Sequence, residues 1–293
     1  MEQRSSSTVL DTNTNTANSA VVMEGRQAIV QLDPDHPGFR DLEYRKRRNV
    51  IAQIAMEYVP GTPVPDAPYT PEEHEVWREV WRSVDLAHQK HACSEYMRYR
   101  ALLDLPRDTI PQLEDVSARV QKLSGFRLEP VGGLVLPKVF LSTLGDGVFL
   151  STQYIRHYST PLYTPEPDVV HELIGHAAML ASPKFAHLNR LIGAAAQRTE
   201  SEEALERLGR VYWYTIEFGV LREGSEVKAY GAGLLSSAGE LEAMPKAELR
   251  PFVLEEMQAL SYDVTRYQPV LFCADSFEQM YESLGAFFER WRG

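Results

Sequence analysis

Two histidines and a distant glutamate carry the most chemical information in the chain. The segment Pro167-Asp168-Val169-Val170-His171-Glu172-Leu173-Ile174-Gly175-His176 nearly forms the H-E-x-x-H motif of zinc hydrolases, but position 175 is glycine and the second imidazole comes one residue later. On an ideal helix that spacing leaves the two rings roughly 140° apart. Both reach one metal ion only if the helix ends or loosens near Gly175, as π-helical turns allow. A third donor is Glu217, set in the apolar and aromatic run Trp213-Tyr214-Thr215-Ile216-Glu217-Phe218. Buried there without a partner, a carboxylate would cost on the order of several kcal/mol, so it should meet a metal, a cation or a strong donor. Two neutral imidazoles and one carboxylate leave a divalent ion with open coordination positions, the facial triad of non-haem Fe(II) oxygenases. The residues alone leave a zinc hydrolase, or histidines that bind no metal, open beside that reading.

The elements that must position these groups read as a mostly α structure with minor β. The chain has 293 residues, 44% of them apolar, enough for a substantial core and no sign of global disorder. Its 30 Lys+Arg against 41 Asp+Glu give a formal charge of −11, which disfavours nucleic acid as a partner. The one basic cluster, RKRR at 45–48, reads as a solvated helix face. Two distant cysteines, Cys93 and Cys273, build no disulfide framework, and no signal peptide or membrane span is legible, so a cytoplasmic protein is expected. Residues 1–22, rich in Ser, Thr and Asn, are expected to be a disordered tail, with one catalytic domain over 23–293. Thr70 and Pro71 predict the start of a long helix whose core face is Val76, Trp77, Val80, Trp81, Val84 and Ala87. His88 and His91, one turn apart on it, lack a neighbouring carboxylate and read as packing residues. Loops and short strands are expected over 126–156, helices over 167–180, 183–195, 202–218, 247–260 and 277–291, and strands in SEVKAYG and YQPVLFCA.

Three further segments make the chain recognisable. TQYIRHYSTPLYTPEPDVVHELIGHAAML, YWYTIEFG and KAYGAGLLSSAGELE together resemble the pterin-dependent aromatic amino acid hydroxylases, and among them the short bacterial phenylalanine hydroxylases. Weaker similarity runs from LDPDHPGF to YQPVLFCADSF. The resemblance implies a single aromatic amino acid hydroxylase catalytic domain using Fe(II), tetrahydrobiopterin or a related tetrahydropterin, and O2. It makes His171, His176 and Glu217 the iron ligands. It gives Val131, Gly133, Val135, Phe140, Glu172 and Tyr212 to the pterin, with Gly132 and Leu134 in the same loop. It gives Arg156, Thr164, Pro165, Asp168, Trp213, Phe218, Ser236 and Cys273 to the amino acid, Arg156 holding its carboxylate and Asp168 orienting Arg156. The implied reaction is ring hydroxylation of L-phenylalanine to L-tyrosine, with meta-tyrosine formation by a phenylalanine 3-hydroxylase, or tryptophan or tyrosine hydroxylation, as variants. Trp213 favours a single-ring substrate over tryptophan.

Some positions depart from the family pattern. Ala178 stands where a proline usually follows the second histidine, Val139 where an acid is common, and Ala28 where animal relatives carry a lid tyrosine. Cys273 occupies a position that varies among branches and could reseat the ring. With no room for the regulatory and tetramer-forming segments of animal relatives, a monomer or weak dimer is expected, its partners being an aromatic amino acid and a pterin. A zinc hydrolase and a catalytically silent binding module remain the competing readings.

Overall fold

In the computed structural model the described residues are Ala20–Val22, Ala28–Val30, Leu32, Pro34 and 36–293 except Tyr163, Pro165 and Thr265. The expected tail lies outside them apart from Ala20–Val22, strand β1, which pairs antiparallel with β2, Ala28–Val30. Four helices follow: α1 (Leu42–Met56), α2 (Pro71–His91), α3 (Ser94–Leu103) and α4 (Leu113–Ser124). α2 starts where Thr70 and Pro71 predict. The Thr70 side chain accepts from the Glu73 amide while the Glu73 carboxylate accepts from the Thr70 amide, so two otherwise unpaired donors are satisfied. The whole predicted apolar face of α2 is buried. His88 on the same helix is fully buried, its Nε2 2.6 Å from the Leu235 carbonyl and its ring edge-on to Tyr96, so it packs as expected.

The segment 126–156 contains β3 (Arg127–Pro130) and β4 (Val148–Ser151), paired in parallel as a two-stranded sheet. Between them lies a helix the sequence pattern hides, α5 (Pro137–Gly145), which begins on a proline and is too short to show a clear period. α5 lies across α7 (Pro183–Arg198), and Gly193 of α7 sits against Gly145 of α5 with no room for a Cβ on Gly193. That contact fixes where Phe140, on α5, points relative to the rest of the molecule.

The predicted helix over 167–180 forms, but its centre, His171–Ala177, is π-helical before it closes as α6 (Ala178–Leu180). The helix predicted over 202–218 is likewise α8 (Glu202–Tyr212) followed by a π turn, Trp213–Glu217. A four-stranded sheet in the order β6-β5-β8-β7 follows, from β5 (Val220–Glu223), β6 (Glu226–Ala229), β7 (Glu248–Pro251) and β8 (Val270–Ala274). β7 corrects the helix expected over 247–260. Pro251 cannot donate inside a helix, whereas an edge strand tolerates it, and only α11 (Leu254–Ala259) is helical there. Two short helices follow, α9 (Ala232–Leu235), which packs on the π turn of His171, and α10 (Ala238–Ala243), which packs on α2 and α9, and α12 (Phe277–Arg290) packs on α7. Among the described residues no helix is long and apolar enough to cross a membrane.

Gly175 is where the π turn meets α9. A Cβ there would lie 2.7 Å from the Ala232 carbonyl oxygen, so only glycine lets the two backbones approach. Gly175→Ala should therefore lose about 1–3 kcal/mol of stability, the usual cost of overpacking, read as a lower midpoint in urea unfolding of the metal-free protein. Burial depresses His88 to about 3. The unfolded chain then takes up a proton that the folded one refuses, so stability falls as pH drops below about 6.5, by at most about 1.4 kcal/mol per unit. His88→Gln should flatten the acid limb of a melting-temperature profile.

Candidate metal centre

His171 and His176 open and nearly close one π turn, whose i→i+5 hydrogen bonding widens the helix so that residues five apart come to the same face. Their Nε2 atoms lie 3.0 Å apart with the rings nearly perpendicular, at 81°. Glu217, at the end of the second π turn, points at the same spot. Its Oε1 is 3.0 Å from His176 Nε2 and its Oε2 3.5 Å from His171 Nε2. Among the described residues this is the one group of three or more metal-binding side chains with donor atoms converging, here within 4.8 Å of one another.

The surroundings set each donor for a metal. Ser236 Oγ lies 3.0 Å from His171 Nδ1 and 3.3 Å from the Gly233 carbonyl. With the hydroxyl donating to that carbonyl, its oxygen accepts the Nδ1 proton and leaves the Nε2 lone pair of His171 aimed at the triad. Burial holds His171 neutral, down to about 4. Burial alone would raise Glu217, but His176 and His171 outweigh it and keep the carboxylate ionised, down to about 2. Against the pull of burial, Glu217 in turn raises His176, so a cation there would take the place of a proton between them; imidazole nitrogen beside ionised oxygen is the donor set that a divalent cation needs, so the residues fit one iron ion.

Two cavities meet at this triad, with Leu134, Pro167, His171, Trp213 and Glu217 in the wall of both. The first, about 280 Å³, is also lined by Arg156, Thr164, Phe218 and Ser236, four of the residues expected to bind the amino acid. The second, about 290 Å³, is lined by all six expected pterin residues: Val131, Gly133, Val135, Phe140, Glu172 and Tyr212. Phe140 is held edge-to-face by Phe149 and Tyr212, leaving a ring face for stacking. Glu172 Oε1 accepts from the amide and hydroxyl of Thr152 at 3.2 and 3.1 Å, and burial lifts its carboxyl to about 8. The Tyr212 hydroxyl is buried and faces the Glu217 carboxylate, which it helps to keep ionised.

Asp168 lies behind the cavity wall. Its Oδ1 is 2.7 Å from Arg156 Nη2 and its Oδ2 2.9 Å from Arg156 Nε, the orienting pair the sequence suggests. Pro165 lies outside the described residues. Cys273 is not brought to either cavity: it sits on β8, paired with Val220 of β5 on one side and Pro251 of β7 on the other. Which face of β8 it occupies follows from strand alternation, which the sequence pattern could not orient, and it is buried there. The sequence also misses a group on the loop after α11. Tyr262 stacks on Trp213 at 4.2 Å, and Gln268 accepts the Trp213 Nε1 proton at 3.1 Å. Gln268 lines the first cavity with Val264 and Arg266 of this loop and Glu240 of α10, while Tyr262 lines the second. These residues have no motif spacing, and only the fold assembles them.

A family model for biopterin-dependent aromatic amino acid hydroxylases matches residues 15–292. The chain is 45% identical over 263 residues to phenylalanine-4-hydroxylase of Rattus norvegicus, covering 88% of this chain and 58% of that protein. It is 43% identical over 254 residues to phenylalanine 3-hydroxylase of Streptomyces coeruleorubidus, covering 87% and 91%. The chain thus spans little more than half the length of the animal relatives it matches. A crystal structure of Chromobacterium violaceum phenylalanine hydroxylase, with bound iron(III) and 7,8-dihydrobiopterin, superposes with a TM-score of 0.75 at 27% identity, over 83% of this chain and 89% of that one.

Ser236→Ala should weaken metal binding by about 10–100-fold with the fold intact, because His171 loses the partner that fixes its tautomer. Anaerobic titration calorimetry with Fe(II) measures it, and unchanged affinity would remove Ser236 from the centre.

Proposed function

The chain belongs to the biopterin-dependent aromatic amino acid hydroxylases, and from that premise we propose that it hydroxylates the ring of L-phenylalanine to give L-tyrosine. The observation that carries this reading is the junction of two cavities on one triad, one faced by an arginine suited to a carboxylate and one by an aromatic ring suited to a flat heterocycle. Iron and a tetrahydropterin, when bound, supply the electrons that activate dioxygen for insertion into an aromatic ring. His171, His176 and Glu217 hold the metal.

The rest is positioning by the protein. Arg156 has five N–H groups. Nε and Nη2 each give one to Asp168 and Nη1 gives one to the Pro161 carbonyl, so two remain to grip the substrate carboxylate. Trp213 and Phe218, 4.6 Å apart between ring centres, wall the space where the aromatic ring sits. Trp213 is pinned by Tyr262 and Gln268, so it does not swing aside for a larger bicyclic side chain. On the other side Phe140 stacks the pterin, the main chain of the 131–135 loop meets its edge, and Glu172, held by Thr152, faces it from the wall beside the metal ligands. Both cavities are largely apolar around the metal, which limits water there.

A second reading, formation of meta-tyrosine, is favoured by the similarity to a phenylalanine 3-hydroxylase whose length the chain covers almost fully. The two readings differ only in which ring carbon faces the metal. The protein is further proposed to act in the cytoplasm as a monomer or weak dimer, a reading supported by two buried free cysteines and tested by light scattering.

Oxygen uptake by the Fe(II)-loaded protein should require both tetrahydrobiopterin and L-phenylalanine, and chromatography of the product should show para-tyrosine; meta-tyrosine selects the second reading, and no uptake with any aromatic amino acid ends both. Arg156→Lys should raise KM for the amino acid about 10–100-fold while leaving KM for the pterin within about twofold, since a point charge replaces the fork.

A further inference from the structure

The amino-acid cavity holds one charge that the reading above leaves unused. Among its described lining residues Arg156 is paired with Asp168, Glu166 with Arg48, Arg266 with Asp263, and Glu217 with the two histidines. Glu240, which lines the same cavity, makes no ion pair among the described residues. It is half-buried on α10, and its backbone amide donates to Ser237 Oγ at 3.2 Å, which ties it to the segment whose Ser236 braces His171. Burial lifts its carboxyl to about 7, a cost that the main chain of Gln268 offsets only in part.

A zwitterionic amino acid brings both a carboxylate and an ammonium into this space. The carboxylate has Arg156, whose own negative partner is already satisfied by it. The ammonium carries three donors and needs a negative acceptor that no other charge is using. Resting on the amino acid reading, we propose that Glu240 is the residue that receives the α-ammonium group, and so makes the site specific for free α-amino acids over ring acids that lack the amine. Ammonium binding would compensate the buried carboxylate, and a ligand without that group leaves Glu240 facing an apolar neighbour. The assignment also gives the two charged groups on the α carbon separate partners in the lining of one cavity, Arg156 and Glu240, so that the direction of the ring toward the metal follows from the stereochemistry at that carbon.

The test compares L-phenylalanine with 3-phenylpropanoate, which keeps the ring and carboxylate and lacks the amine, by calorimetric titration of the iron-loaded protein under anaerobic conditions. The wild type should bind L-phenylalanine at least about 10-fold more tightly. Glu240→Gln should weaken L-phenylalanine by about 10–100-fold and leave 3-phenylpropanoate within about twofold, the size expected for a charged hydrogen bond. Glu240→Asp, which keeps the charge, should retain part of the discrimination. Equal weakening of both ligands by Glu240→Gln, or unchanged L-phenylalanine binding, overturns the assignment, because a merely structural carboxylate would not distinguish the two. Turnover is read separately: a protein that discriminates the ligands this way but hydroxylates no aromatic amino acid keeps the Glu240 assignment and loses the proposed activity, whereas one that hydroxylates without discriminating does the opposite.

Discussion

One widened turn decides what this protein can be. Histidines five residues apart diverge on an α-helix, and the π-helical stretch His171–Ala177 is what turns both imidazoles toward Glu217. A π turn lacks the close packing of an α-helix along its own axis, so it needs outside support. The support comes from α9, whose Ala232 carbonyl approaches so closely that position 175 has room for hydrogen alone. The glycine that breaks the zinc-hydrolase motif and the glycine that admits α9 are the same residue. Geometry of the metal and packing of the core are therefore a single constraint.

From that turn the charges propagate outward in pairs. Asp168 Oδ1 accepts the His171 amide at 3.2 Å as well as the Arg156 guanidinium, so the arginine facing the amino-acid cavity and the start of the metal-binding turn share one buried carboxylate. Removing Asp168 would disturb both at once, since an uncompensated guanidinium would remain in a dry site. On the opposite flank Thr152 anchors Glu172, the residue directly after His171, and Thr152 follows β4, whose pairing with β3 carries the 131–135 loop. The two cavities are thus built from the two sides of the same helical turn, and a shift of that turn moves both ligands together.

How far the site could be read from the amino-acid sequence follows the range of the interactions involved. The triad was legible because its evidence is local: an odd histidine spacing, and a carboxylate among aromatics that has to be paid for by a partner. The need for a loosened helix at Gly175 was also legible, as a matter of angle. α5 was not, since a nine-residue helix between glycines shows too few turns for a period, and β7 read as helix because Glu, Leu and Arg favour helices until Pro251 and the pairing with β8 decide otherwise. Cys273 shows the remaining limit. Its neighbourhood in the chain matches the family, but which face of β8 it occupies is settled by strands β5 and β7 far away in sequence.

The loop after α11 extends the same point from structure to chemistry. Tyr262 and Gln268 touch no ligand directly in the argument for hydroxylation, yet they fix the Trp213 indole from its face and from its nitrogen. Trp213 belongs to the π turn that ends in Glu217 and lines both cavities. A rigid indole there separates the spaces for ring and heterocycle while leaving both open to the metal at His171 and Glu217. The proposed hydroxylation would need that arrangement, because an oxidant that meets no ring is spent on solvent or protein. In the proposed reaction the loop residues would therefore act on coupling through the tryptophan, by limiting how far the wall between the cavities can move.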